Sequence, residues 1–260
     1  MTTTVVQPSA APKVPMTSLR KTAFVAGALY VITFAASIPA LLFLAPVLDN
    51  PDYIVSSGAD TRVLFGGFLD LITALAGIGT AVALYSVVKR QHEGFALGLV
   101  TTRIFEAAVI VIGVVCLLSV VTLRQNLAGT GADEASLVTV GQALITVRGW
   151  TFLLGPGLMA ALNAVLLGTL MYRSRLVPRI IPTVGLIGAP LLLADVTAIF
   201  FGAYELGSVW HGILVAPIFA WELSLGVYLV VKGFRPSPIT AGMAAAGTPP
   251  AYRDAVAVAV

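Results

Sequence analysis

The stretch FALGLVTTRIFEAAVIVIGVVCLLSVV, residues 95–121, decides what kind of molecule this is. A helix over it is about 40 Å long at about 1.5 Å rise per residue, enough to cross a hydrocarbon core about 30 Å thick. Its apolar residues run continuously and do not alternate with period two, so it reads as a transmembrane helix and not as a strand of a membrane barrel. Yet it carries Arg103 and Glu106 where ionised groups cost most. Those two charges are the first functional clue in the chain.

The rest of the composition agrees with a membrane setting. Of 260 residues 58% are hydrophobic and 10% charged, with a mean hydropathy of +0.97. A soluble domain carries about 25% charged residues, so this chain lacks the polar side chains to cover a water-facing surface. Helices are expected throughout, because backbone polar groups in lipid must be satisfied within their own segment. Six apolar stretches are long enough to span, at about 22–45, 63–88, 95–121, 149–172, 180–203 and 212–231. The fold expected is an all-α polytopic bundle of six transmembrane helices over 19–235. It is flanked by a disordered N-terminal tail (1–18), rich in Thr and Pro, and a disordered Ala/Pro/Gly-rich C-terminal tail (236–260). No internal repeat stands out above generic apolar similarity.

Orientation follows from the basic residues. Lys13, Arg20 and Lys21 precede the first span. Lys89 and Arg90 join spans two and three, Arg173, Arg175 and Arg179 join spans four and five, and Lys232, Arg235 and Arg253 follow the sixth. Eleven of the fifteen Lys and Arg residues therefore fall on one side, facing Arg62, Arg124 and Arg148 on the other. Both termini are expected to be cytoplasmic, in a multi-pass protein of the cell membrane. The net charge of +3 is then a topology signal with some attraction to anionic lipid; no nucleic-acid partner is expected.

Depth follows from orientation. Glu106 falls about 16 Å from the cytoplasmic edge and Glu222 about 15 Å from the external edge, both near the midplane. Arg103 and Asn163 lie somewhat to the cytoplasmic side, Asp70 and Asp195 about 10 Å in from outside, and Arg148 close to that edge. Two layers are expected: Arg103, Glu106, Asn163 and Glu222 within, and Asp70, Asp195 and Arg148 without. Side chains lean toward a helix's N-terminus, so Arg103 is expected to snorkel toward cytoplasmic water. An Arg-before-Glu order favours an intrahelical pair less than the reverse, so Glu106 is expected to need Glu222 or Asn163. Four embedded acids face two bases; the surplus carboxyls must be protonated, hydrated or paired with an external cation. Burial favours the uncharged form of a carboxyl group, which makes a proton-binding midplane Glu chemically reasonable.

Other signals are weaker. LLGPGL (153–158) would interrupt span four, either as a broken helix beside a transport site or as a packing kink among small residues. Cys116 is a lone, apolar-embedded thiol, which excludes an internal disulfide and a cysteine metal site. Trp221 fills core or lines a cavity. His92 lies in a loop and His211 at the external edge, away from the deep carboxylates a zinc hydrolase would need beside them. No HExxH, GxSxG or P-loop is present, and no cofactor or catalytic set is read. Two functions lead, with a membrane-embedded enzyme third for want of a nucleophile–base or metal constellation. One is a small transporter or proton- and ion-handling protein with a path of embedded carboxylates. The other is a non-catalytic scaffold or partner subunit, a homo-oligomer included, whose charges are structural.

Three stretches, LRKTAFVAGALYVITFAASIP (19–39), PDYI (51–54) with GADTRVLFGGFLDLI (58–72), and WTFLLGPGLMAALNAVLLGTLMYRSRLVPRIIP (150–182) followed by GLIGAP (185–190), together resemble a bacterial integral-membrane family. It is the family of the domain of unknown function numbered 4386, and the resemblance covers about 19–237. It implies a multi-helix membrane protein. The family has no established activity, so no functional residue carries over.

Overall fold

The computed structural model describes residues 16–56, 60–127 and 133–241. The expected N-terminal tail up to residue 15, and the C-terminal one from residue 242, lie outside the described residues. The elements are α1 (Ser18–Leu48), α2 (Asp60–Val88), α3 (Glu93–Leu127), α4 (Glu134–Phe152), a π-helical turn (Leu153–Gly157), α5 (Leu158–Ser174), α6 (Ile180–Phe200) and α7 (Val209–Val231). A 3₁₀ turn, Pro238–Thr240, follows. The fold is all-α, with six helices long and apolar enough to cross a membrane; the fourth is α4, the π turn and α5 taken together.

Span four is the main departure from the sequence reading. Its helix begins at Glu134, well before residue 149, and runs 41 residues without a break, about 60 Å at helical rise and so longer than a hydrocarbon core of about 30 Å. Hydropathy misses its first half because Glu134, Gln142 and Arg148 dilute the apolar signal. The helix starts there because Asp133 caps it, its carboxylate accepting the Ser136 backbone N–H at 3.0 Å. That exposed cap holds the Asp133 carboxyl below its usual range, the Ser136 hydroxyl and backbone N–H being the causes.

The six spans close into a ring. Each packs on its neighbours in sequence, and α7 returns to pack on α1. Buried residues on α3 follow helical spacing (Leu99, Arg103, Glu106, Ile110, Val114, Leu117 and Val121). Its outer face carries exposed Leu97, Ile104, Phe105, Ile112 and Val115. An exposed apolar face of this kind suits lipid and not water.

The α1–α7 seam is pinned at the end where α1 begins and α7 ends. A Cβ on Gly27 would lie 2.7 Å from the Gly226 carbonyl oxygen, so the two backbones approach in a way glycine alone allows. Beside this contact the Arg20 guanidinium donates to the carbonyls of Leu229 (2.9 Å), Val230 (2.7 Å) and Val231 (3.1 Å), which the end of α7 leaves without helical partners. The chain turns away at Gly233, whose φ of +74° is in the left-handed region. It then lies against α5: Arg235 N donates to Leu176 O at 2.8 Å and Ser237 Oγ to Ser174 O at 2.7 Å. The segment expected as a tail from 236 thus includes buried Ser237 and Thr240.

The loop end is tied differently. Arg124 at the end of α3 pairs with Asp60 at the start of α2 and donates through Nε to Ser56 O at 2.8 Å. Tyr53 donates to Asp60 at 2.9 Å. Burial, and then the acceptor Asp60, push the Tyr53 phenol up to about 12. Proline effects are absorbed locally: Pro46 cannot donate to the Leu42 carbonyl, and Arg62 Nη2 does so instead at 2.7 Å.

Candidate functional site

The inner polar group draws on four elements. On α3 the buried stripe turns Arg103 and Glu106 into the ring, 5% and 9% exposed. Arg103 Nη1 donates to Glu106 Oε2 at 3.0 Å, and Nη2 donates to Glu222 Oε1 on α7 and to the Tyr30 hydroxyl on α1 at 3.3 Å. The guanidinium carbon lies 5.6 Å from the centre of the Tyr30 ring. Asn163 on α5 donates through Nδ2 to the same Glu106 oxygen at 2.9 Å and accepts from the Thr102 hydroxyl.

All four residues expected in the inner layer therefore meet. The expectation that Arg103 snorkels to water is wrong. Two carboxylates and a tyrosine hold it in the bundle, where turning outward would leave Glu106 and Glu222 both uncompensated. The intrahelical pair also forms despite its order, because the long Arg side chain does the reaching.

The outer layer separates into two pairs. Arg148 Nη2 donates to Asp70 Oδ2 at 2.8 Å, with the guanidinium 5.2 Å from the centre of the Phe152 ring. Arg148 is 4% exposed, so its side chain is buried among the helices. Asp195, 0% exposed, takes no arginine: it accepts from His211 Nδ1 at 2.7 Å and from the Tyr204 hydroxyl at 2.8 Å. The sequence alone places His211 at the external edge, away from the deep carboxylates. Its signal was available, since Ser208 caps α7 and sets His211 inside the first turn, facing the end of α6.

A cavity of about 320 Å³ joins these groups. Its wall draws on every span. Arg103, Glu106 and Glu222 lie toward one end, and Asp70, Arg148 and His211 toward the other. Between them the wall is largely apolar, with Phe34, Ile110, Phe152, Leu192 and Phe219. LLGPGL supplies part of it. The helix widens into a π turn there and does not break, and Pro156 and Gly157 face the cavity. Such turns often mark functional sites. Asn163 stands behind Glu106 and is not part of the wall. Trp221 fills core, 1% exposed and stacked on Gly185. Among the described residues no three His, Cys, Asp or Glu side chains gather as metal ligands.

With fold and site in view, comparison with known proteins adds one result. The family model described as a domain of unknown function (DUF4386) matches residues 25–233. The chain belongs to this family. The match runs from the first span to just past the sixth, so the polar groups and the cavity all lie within the family's domain. No curated protein and no solved structure matches the chain.

Proposed function

We propose that this protein is a small membrane transporter or proton- and ion-handling protein that carries its solute through the central cavity. The observation behind this reading is the cavity itself, bounded by all six spans and reaching both polar groups. Glu106, Glu222 and Asp70 line the path, Asp195 meets it through His211, and Arg103 and Arg148 serve as counter-charges. Intramembrane ionisable residues facing a cavity commonly mark such pathways. The side bearing the termini, with its excess of Lys and Arg, is the cytoplasmic one in this reading, and the membrane is the cell membrane.

The test is flux. Proteoliposomes under an imposed pH or potassium gradient should show protein-dependent proton movement that Glu106→Gln abolishes. Unchanged flux in that variant removes the midplane Glu from the mechanism. One observation favours the scaffold reading: each embedded acid has a partner. On that reading Glu106→Gln lowers thermal stability, and the wild-type protein moves no protons.

A further inference from the structure

The wall of the cavity is uneven in charge and in exposure. At the inner end two carboxylates, Glu106 and Glu222, share the single guanidinium of Arg103. Fully ionised, that group carries one net negative charge, whereas the Asp70–Arg148 pair at the other end is balanced. The charged and titratable groups facing the inner pair are few. Tyr30 comes from α1 and Arg103 from α3, while α5 offers Asn163. The ionisable groups of α2, α4, α6 and the start of α7 (Asp70, Arg148, Asp195 and His211) are engaged with one another at the far end. The surplus charge therefore needs a proton or another cation.

Exposure shows where such a cation would enter. Wall residues on α3 and α6 are sealed, with Ala107 at 5%, Ile110 at 6% and Leu192 at 1% exposed. On α1 and α7 they reach the outer surface: Ile38 is 46%, Leu41 49% and Phe219 43% exposed. Phe34 and Phe219 meet edge to face across this seam, ring centres 4.8 Å apart. The mouth thus lies between α1 and α7, at membrane depth, and is framed by aromatic rings that attract cations through their faces. Inside, the Ser37 hydroxyl faces the cavity with no hydrogen-bond partner among the described residues, unlike Thr33 one turn earlier, which donates to Tyr30 O. Gly77, opposite, faces open space: a Cβ there would meet nothing within 4 Å.

We infer that the cavity binds a monovalent, amphipathic organic cation that enters from the bilayer between α1 and α7. Its charged group seats at Glu222 and Glu106 in exchange for the proton they share, and its apolar body lies along Phe34, Ile110 and Phe219. The inference rests on reading the cavity as a solute site and names the solute's class. The exchange is charge-neutral at the site: one proton leaves to bulk water as one cation arrives.

Tetraphenylphosphonium and tetraphenylborate, nearly identical in shape and opposite in charge, provide the test on purified full-length protein in a neutral detergent. The phosphonium should bind saturably, release about one proton per cation into weakly buffered solution, and lose affinity at least tenfold in Glu222→Gln. Gly77→Leu should fill the cavity, keep the thermal stability of the parent and abolish binding, a control that does not depend on the ion pair. Borate binding equal to or tighter than phosphonium binding overturns the inference, as does phosphonium binding that Gly77→Leu leaves intact. Proton flux in liposomes without phosphonium binding in detergent overturns the solute class alone. Binding without flux keeps the site and overturns the transport reading.

Discussion

Arg103 is the residue whose removal should hurt most, and the geometry gives the ranking. Arg103→Gln leaves Glu106 and Glu222 facing one another in a buried site, with Asn163 still donating to Glu106. Breaking a buried ion pair from one side costs about 3–5 kcal/mol, because the uncompensated charge remains. Glu222→Gln removes one charge-assisted hydrogen bond, worth about 1.5–3 kcal/mol, but leaves Arg103 balanced by Glu106 at 3.0 Å. The order of loss should therefore be Arg103→Gln well above Glu222→Gln. The triple change to Gln at 103, 106 and 222 should recover much of the loss of the first. Reversible unfolding in mixed micelles, read by tryptophan fluorescence, measures the parent, these three variants and the Arg103→Gln/Glu222→Gln double variant that a coupling energy requires. A coupling between positions 103 and 222 below the range of about 0.5–3 kcal/mol seen for contacting residues would refute this account. So would a triple variant no more stable than Arg103→Gln.

Three further perturbations test the frame around the site. Gly27→Leu should force α1 and α7 apart at their pinned end, since its Cβ would lie 2.7 Å from a backbone oxygen that cannot give way; a marked loss of folded protein on size-exclusion chromatography is expected. Arg20→Met should keep most of the apolar stem but leave three carbonyls at the end of α7 without their donor, costing about 1–3 kcal/mol and speeding hydrogen exchange over 229–233. For Tyr53, the neutral phenol is the form the fold favours, so its contribution is complete below the ordinary tyrosine value near 10 and is lost as pH rises toward about 12. The parent should lose thermal stability through that window relative to Tyr53→Phe, which has no phenol to ionise.

What the sequence shows of this fold follows from what hydropathy measures. All six spans are legible because each has a long continuous apolar stretch, and the inner polar group is legible because depth can be counted along a helix. The start of span four is not. Its polar residues look like a loop until a cap at Asp133 and packing on α3 make them helical. Arg103's direction is not legible either. The lean of a side chain is a local property, whereas Glu222 lies 119 residues away and outweighs it. The pairing of His211 is illegible for a related reason: counting bases as Lys and Arg omits an imidazole that meets Asp195 only once α6 and α7 pack. The cavity has no sequence signature, because Gly77, Ser37 and Phe219 read as ordinary span residues.

The seam between α1 and α7 gives the charge count a mechanical consequence. Near the termini the two helices are held by the Gly27–Gly226 approach and by Arg20 on the last carbonyls of α7. Further along, Phe34 and Phe219 bridge them, and beyond that the wall opens. Glu222 lies one turn from Phe219 and one from Gly226, between the pinned and open parts of the seam. Through Arg103 it forms an ion pair tying α7 to α3 across the cavity. A proton or a cation on Glu222 weakens that tie while leaving the pinned end intact. On the proposed transport reading, the occupant of the site and the position of α7 bias one another, and that coupling is reciprocal. An arginine shared by two acids lets a single charge transfer do this. With one acid, protonation would strand Arg103 as a buried unpaired cation; with two, Glu106 keeps it balanced in either state.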